Sequence, residues 1–302
     1  MLEVQHLHKT FGDVKAVQDV SFTIEDGTIL GIIGQNGSGK TTIFRMILDF
    51  LTSEKGGKVL WNGEPLTEKV YDVVGYLPEE RGLYDKLTIE QQIIYFAELR
   101  GMKRSDILSK MDTWLEKFNV KGKRTDKIKT LSKGNQQKVQ LIATLIHEPK
   151  LVILDEPFSG LDPVNADFLK RGILELKAKG STILFSSHNM NNVQEICDKL
   201  VMIHHGEQLL YGTVDEVRES FGRTKLVLET TEWTKEQLLE LEGVVSVAQP
   251  KAHYFELTLA QEHYGRAIFD AVTGGNYIQT FSQQPPTLEE IFKMKAGATH
   301  EA

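Results

Sequence analysis

The chain has 302 residues, 40% of them hydrophobic, enough for one large domain with a small one or for two medium domains. Its 35 lysines and arginines face 42 aspartates and glutamates, and the resulting charge of −7 argues against a nucleic-acid partner, because backbone binding needs a strongly cationic face. A single cysteine, Cys197, rules out an intramolecular disulfide framework, fits a reducing cytoplasm, and sits among apolar neighbours as a core residue rather than a nucleophile.

The N-terminal MLEVQHLHKTF has no charged-then-apolar signal pattern. No apolar run approaches the roughly 18 residues of a membrane span, so a soluble chain is expected, with any membrane role coming through a partner. Residues 2–28 alternate apolar and polar side chains around Phe11-Gly12-Asp13, which predicts antiparallel strands and a turn. Thr28 to Ile33 is apolar and β-branched, as in a buried strand, and TTIFRMILDFL then carries Ile43, Met46, Ile47 and Phe50 at helical spacing.

Between that strand and helix lies GQNGSGKTT. The pattern Gly34-x-x-x-x-Gly39-Lys40-Thr41 fits a phosphate-binding loop, in which glycines let the backbone curl until several amides converge on an anion. Lys40 is then placed to reach the β- and γ-phosphates and the Thr41 hydroxyl to ligate Mg²⁺. Strand, loop, helix is also the order that sets a helix N-terminus against phosphate. Gly34, Asn36, Gly37, Ser38, Gly39, Lys40, Thr41 and Thr42 are therefore the candidate nucleotide-binding residues.

Residues 88–147 are helical in pattern, and a helical subdomain is expected over about 86–147. Two near-continuous apolar runs follow, LVILDEP (151–157) and TILFSSH (182–188), separated by the helical VNADFLKRGILELKAKG. Buried strands alternating with helices predict a mainly parallel sheet covered on both faces. LVILDE ends in adjacent acids, Asp155 and Glu156. Strand neighbours point to opposite faces, so both can serve one site only if the strand stops there, and Pro157 suggests that it does. Asp155 suits the Mg²⁺ shell and Glu156 the polarisation of an attacking water. A second domain is expected over 223–302. Its β-α-β-β-α-β order is the ferredoxin-like pattern, with a further helix after Pro285-Pro286. It carries no catalytic constellation, which leaves regulation, assembly or a purely structural role.

LSKGN (131–135) before a helix, LVILDEP starting 20 residues after Leu131, SGLD (159–162) directly after it and SSH closing the next strand appear in an order that resembles the nucleotide-binding subunit of an ATP-binding cassette (ABC) transporter. The resemblance covers roughly residues 1–220. With the extra C-terminal domain, the chain is similar to ATPase subunits of bacterial sodium-efflux or multidrug exporters. It implies a P-loop NTPase of α/β class over 1–222, with a mainly parallel core sheet, an antiparallel β subdomain and a helical subdomain, joined to the small α+β domain. It also implies ATP and Mg²⁺ as ligands, a polytopic membrane permease and a second nucleotide-binding subunit (a homodimer) as partners, and a peripheral place at the cytoplasmic face of the plasma membrane.

Residue by residue, the resemblance implies that Phe11 stacks on adenine, although a core phenylalanine beside a turn has the same pattern. It implies that Ser132 and Gly134 present a helix N-terminus to the γ-phosphate held by the other subunit, that His188 contacts that phosphate and orders the water, and that Asp162 communicates across the dimer. Catalysis thus falls to Glu156, His188 and Lys40, and the metal to Thr41, Asp155 and Glu79. Glu79 stands where the family has glutamine, keeping an oxygen ligand but adding a negative charge. Lys133 and Asn135 replace the commoner glycine and glutamine, and Lys133 can help binding or face solvent. The segment after Glu79, with Leu83, Tyr84 and LTIEQQIIYFAEL, is the candidate permease-docking surface, or simple helical core. The alternatives are an ABC ATPase acting on nucleic acid or ribosomes, against which a single cassette and net acidity argue, and a non-catalytic nucleotide sensor, against which Glu156 and His188 argue.

Overall fold

The computed structural model describes residues 1–66, 68–80 and 82–298; the last expected residues of the second domain, 299–302, lie outside them. The chain divides into one compact unit, Met1–Gly212, and a second that begins at Thr213.

The first unit opens with β1 (Leu2–Phe11) and β2 (Val14–Ile24), paired antiparallel from Leu2↔Ile24 to Phe11↔Val14 about a turn in which Gly12 has φ 58°. Then come β3 (Ile29–Ile33), α1 (Lys40–Ile47), β4 (Lys58–Trp61), the short β5 (Glu64–Pro65) and β6 (Val74–Leu77). Three helices follow: α2 (Ile89–Glu98), α3 (Arg104–Lys117) and α4 (Lys133–Leu145). The unit closes with β7 (Leu151–Leu154), α5 (Pro163–Ala178), β8 (Thr182–Ser187), α6 (Met190–Ile196), β9 (Lys199–His204) and β10 (Glu207–Thr213).

All ten strands form one sheet, ordered β5-β4-β1-β2-β10-β9-β3-β8-β7-β6. Pairing is parallel from β9 through β3, β8 and β7 to β6, and antiparallel among β2, β1, β4 and β5. The difference follows from composition. Every residue of β3, β7 and β8 is buried, as a strand covered on both faces requires, whereas β1 and β2 alternate buried with more exposed positions. The expected parallel strands, opening hairpin and helical middle are all present; β4, β5, β6, β9 and β10 were not anticipated.

The second unit holds α7 (Val214–Glu219), β11 (Lys225–Glu229), α8 (Lys235–Leu239), β12 (Val244–Lys251), β13 (Tyr254–Leu259), α9 (Tyr264–Thr273), β14 (Thr280–Gln284) and α10 (Leu288–Ala298). Its antiparallel sheet has the order β12-β13-β11-β14. Leu226, Leu228, Phe255 and Leu257 from the strands join Leu238 of α8 and Ile268 and Val272 of α9 in a separate core. This is the ferredoxin-like arrangement expected from its element order. Among the described residues no helix is long and apolar enough to cross a membrane.

Candidate functional site

β3 delivers the chain to Gly34, where a Cβ atom would stand 2.4 Å from the Ile203 carbonyl oxygen and 2.5 Å from Ser38 Oγ, so no side chain fits. Gly39 begins α1 at φ 108°, pressed so closely on β2 that a Cβ would lie 2.3 Å from the Ala16 carbonyl oxygen. No side chain caps α1 and no acid sits in its first turn. Its leading amides thus remain for an anion. Lys40 Nζ donates to the carbonyls of Gly34 (2.8 Å) and Gln35 (3.1 Å) and lies 3.3 Å from Glu156 Oε1, an ion-pair distance without hydrogen-bond geometry. Both side chains are almost wholly buried, at 6% and 7% exposure.

β7 ends at Leu154, and the Asp155 N–H still donates to the Leu77 carbonyl at 2.8 Å. Glu156 then turns to φ 48°, the left-handed region, which costs a non-glycine residue about 1–3 kcal/mol and is a form of strain that gathers at functional sites. The turn frees Glu156 from strand alternation and sends it toward Lys40. Its Oε2 meets His188 Nδ1 at 2.9 Å. Ser186 of β8 holds both acids, its Oγ donating to Asp155 Oδ1 (2.6 Å) and accepting the Glu156 N–H (2.8 Å). Ser186 was not among the expected site residues; its only signal in the sequence is its place two residues before His188.

A cleft of about 400 Å³ runs over the loop, bounded by Asn36, Gly37, Gly39, Lys40, Thr41 and Thr42 on one side and by Val14, Lys15 and Ala16 of β2 with His205 on another. Glu156 and the exposed Glu79 close it. Gly34 and Ser38 lie within the loop beneath, Ser38 almost wholly buried, and His188 stands behind Glu156. Phe11 ends β1, 48% exposed, with the Lys9 ammonium 5.7 Å over its ring, and does not border the cleft. Nor do Ser132 and Gly134, at the start of α4. There Ser132 Oγ accepts the Asn135 backbone N–H (3.3 Å) and side-chain amide (3.2 Å), while Asn135 Oδ1 accepts the Lys121 N–H (3.0 Å). Asp162 caps α5 in the same way, and the Asn165 backbone N–H holds its carboxyl below the usual range. Cys197 packs on β3, where a Cβ at Gly31 would come within 2.9 Å of its Sγ, and burial pushes its thiol up.

Among the described residues no group of three or more His, Cys, Asp and Glu side chains is arranged to hold a metal. Mg²⁺ does not need one, since it commonly binds through one or two carboxylates and the phosphates of its substrate. Asp155 is 1% exposed, and its Oδ2 is buried without a hydrogen-bond partner. With the Thr41 hydroxyl and Glu79 at the cleft, that all-oxygen donor set fits a hard divalent cation.

Comparison with known proteins bears on both units. Residues 17–159 match the family model described as ABC transporter, and residues 212–296 match one described as the C-terminal domain of DrrA1-3-like ATP-binding proteins. The chain is 40% identical over 301 residues to the ABC transporter ATP-binding protein YhaQ of Bacillus subtilis (strain 168), covering 100% of both chains. It is 27% identical to the linearmycin resistance ATP-binding protein LnrL of the same organism, over 99% of each. A solved structure described as the ATP binding subunit of an ABC transporter superposes with a TM-score of 0.68 at 32% identity, over 74% of this chain and 93% of that one.

Proposed function

The chain belongs to the family of ABC transporter ATP-binding subunits, which are ATP-binding and ATP-hydrolysing, and from that premise we propose that it powers export of a substrate through a separate polytopic permease. It acts as a homodimer, bound peripherally through that permease at the cytoplasmic face of the plasma membrane, with no nucleic acid partner. Its full-length likeness to a protein named for linearmycin resistance supports export. The observation that carries the catalytic reading is Glu156, strained out of the strand and held between Lys40 and His188 at the edge of the phosphate loop.

The loop amides and α1 bind the triphosphate, and Lys40 leaves the carbonyls of Gly34 and Gln35 for the β- and γ-phosphates. Thr41, Asp155 and Glu79 would hold Mg²⁺, which would supply neutralisation of phosphate charge. Glu156, released from Lys40, polarises the attacking water, and His188 keeps the carboxylate oriented through its Nδ1 contact. Phe11 offers an exposed ring to adenine. Ser132 and Gly134 of a second copy complete the cage around the γ-phosphate, so closure of the dimer follows ATP binding and reopening follows hydrolysis.

The permease docks over a groove of about 240 Å³ bordered by Leu83, Gln92 and Phe96. Beside it Tyr84 (52% exposed) packs on Tyr95 and Phe96 with ring centroids 5.7 and 6.2 Å away. Exposed, mutually packed aromatics are the kind of surface that anchors a partner.

The test is Glu156→Gln. Phosphate release should fall about 10²–10⁴-fold while ATP still binds and drives dimerisation; undiminished turnover would remove Glu156 from its role.

A further inference from the structure

The turn joining β9 to β10 belongs to none of the motifs that define the site, yet it is built into it. His205 and Gly206 both have left-handed backbones, at φ 46° and 81°. Gly206 is required there, because a Cβ would stand 2.8 and 2.9 Å from the carbonyl oxygens of Lys15 and Ala16. A two-residue hairpin turn needs the same left-handed backbone at residue 205, which glycine would adopt at lower cost than histidine. The turn is fastened on two sides. The Gly206 N–H donates to the Ser38 carbonyl of the phosphate loop (3.0 Å), and Gln18 of β2 donates its N–H to the Gly206 carbonyl (2.8 Å) and its side-chain amide to that of His205 (3.0 Å). A strained residue held this firmly beside a ligand cleft points to a use for its side chain.

Lys40, Thr41 and Glu156 border the cleft where phosphates and the attacking water meet. Val14, Lys15 and Ala16 border it directly after the two-residue β1–β2 turn that follows Phe11, the residue assigned to adenine, and His205 borders the cleft with them. The imidazole is further oriented by the neighbouring His204 ring, centroid to centroid 4.1 Å. A neutral imidazole offers one donor and one acceptor nitrogen, which matches a ribose hydroxyl, itself donor and acceptor.

We propose that His205 is a nucleoside-positioning residue, hydrogen-bonding a ribose hydroxyl of the bound nucleotide. The proposal rests on the phosphate-loop reading above. Its geometry gives the turn a double duty: Gly206 braces the loop that holds phosphate, and His205 sets where the sugar lies relative to it.

The experiment compares the full chain with His205→Gly, which keeps the left-handed turn without strain, by calorimetric titration with ATP, 2′,3′-dideoxy-ATP and inorganic tripolyphosphate in the presence of Mg²⁺. The variant's nucleotide-free Tm should equal or exceed the parent's. Its Kd for ATP should rise about fivefold, its Kd for tripolyphosphate should not move, and dideoxy-ATP should bind parent and variant alike, about fivefold more weakly than ATP binds the parent. An equal loss for all three ligands would show that the side chain only shapes the loop, and an unchanged ATP Kd would remove His205 from the site; either overturns the proposal. Should the variant not fold, dideoxy-ATP binding the parent as tightly as ATP overturns it too. A parent chain that bound neither ATP nor tripolyphosphate would instead overturn the phosphate-loop reading on which it rests.

Discussion

Helices α1 and α4 start in the same unit, and each is assigned a phosphate to face, yet their first turns are finished in different ways. α1 begins on Gly39 with no side-chain cap, and the cation beside it is folded back onto the loop's own carbonyls. α4 begins on Ser132, whose hydroxyl accepts from Asn135, and the Asn135 amide returns to that same oxygen. Thr88 and Thr213 finish α2 and α7 comparably, each with a full capping box. A capped end is already satisfied and can stand in water, whereas an uncapped end among buried residues needs a partner from outside. α1 is therefore completed by its ligand. α4 is complete alone, and in the proposed dimer it contributes only when a second subunit brings a nucleotide to it.

The largest effect should follow from attacking the uncapped end. Lys40→Ala removes the loop's ammonium and leaves the buried Glu156 carboxylate with His188 alone beside it. ATP affinity should fall about a hundredfold or more, the usual cost of truncating one partner of a buried charged contact. Normal binding in a fluorescence titration would refute the assignment of the loop, and the contrast between the two helices with it.

The same contrast explains what was legible in the sequence. The phosphate loop was readable because its requirements are local: glycines where the backbone has no room, a lysine after them, an apolar strand before and a periodic helix behind. The paired acids were readable for a similar reason, since adjacent carboxylates can share a site only where a strand stops, and β7 stops at Leu154. The ferredoxin-like unit showed itself through its element order, which its own sheet then reproduces. Ser186 and His205 were not legible. Their places depend on β8 and the β9–β10 turn reaching Asp155 and Ser38 across some 31 and 168 residues of chain, a matter of tertiary register that no local pattern records. The Asn135 amide that returns to the Ser132 cap on α4 was not legible either.

A smaller effect should come from the capped end. Ser132→Ala deletes the oxygen that receives both Asn135 donors, and the first unit should lose about 1 kcal/mol in urea denaturation. Because Ser132 lies outside the cleft of its own chain, ATP binding by the monomer should not change, while turnover by the assembled dimer should drop about tenfold, the scale of a lost phosphate contact. Lost stability with turnover intact would make Ser132 a cap and nothing more.

The last effect, confined to acid pH, lies just past the other end of α4, at His147. Burial, and after it the neighbouring Arg100 guanidinium, lowers its pKa from the ordinary 6.5 to about 4, against the charge of Asp72, which pulls upward. Between those two values the unfolded chain takes up a proton that the folded chain refuses. Protonation therefore favours unfolding, and the contribution present above pH 6.5 drains away as pH falls toward 4, then levels off once both states are protonated. The full loss is about 3 kcal/mol. His147→Gln carries no such proton, so its urea midpoint should decline less than the parent's across pH 6.5 to 4, with the two curves parallel below 4. Curves parallel throughout the window would mean that the buried ring titrates as it does in water. The comparison of α4 with α1 would then narrow to the capping of their first turns.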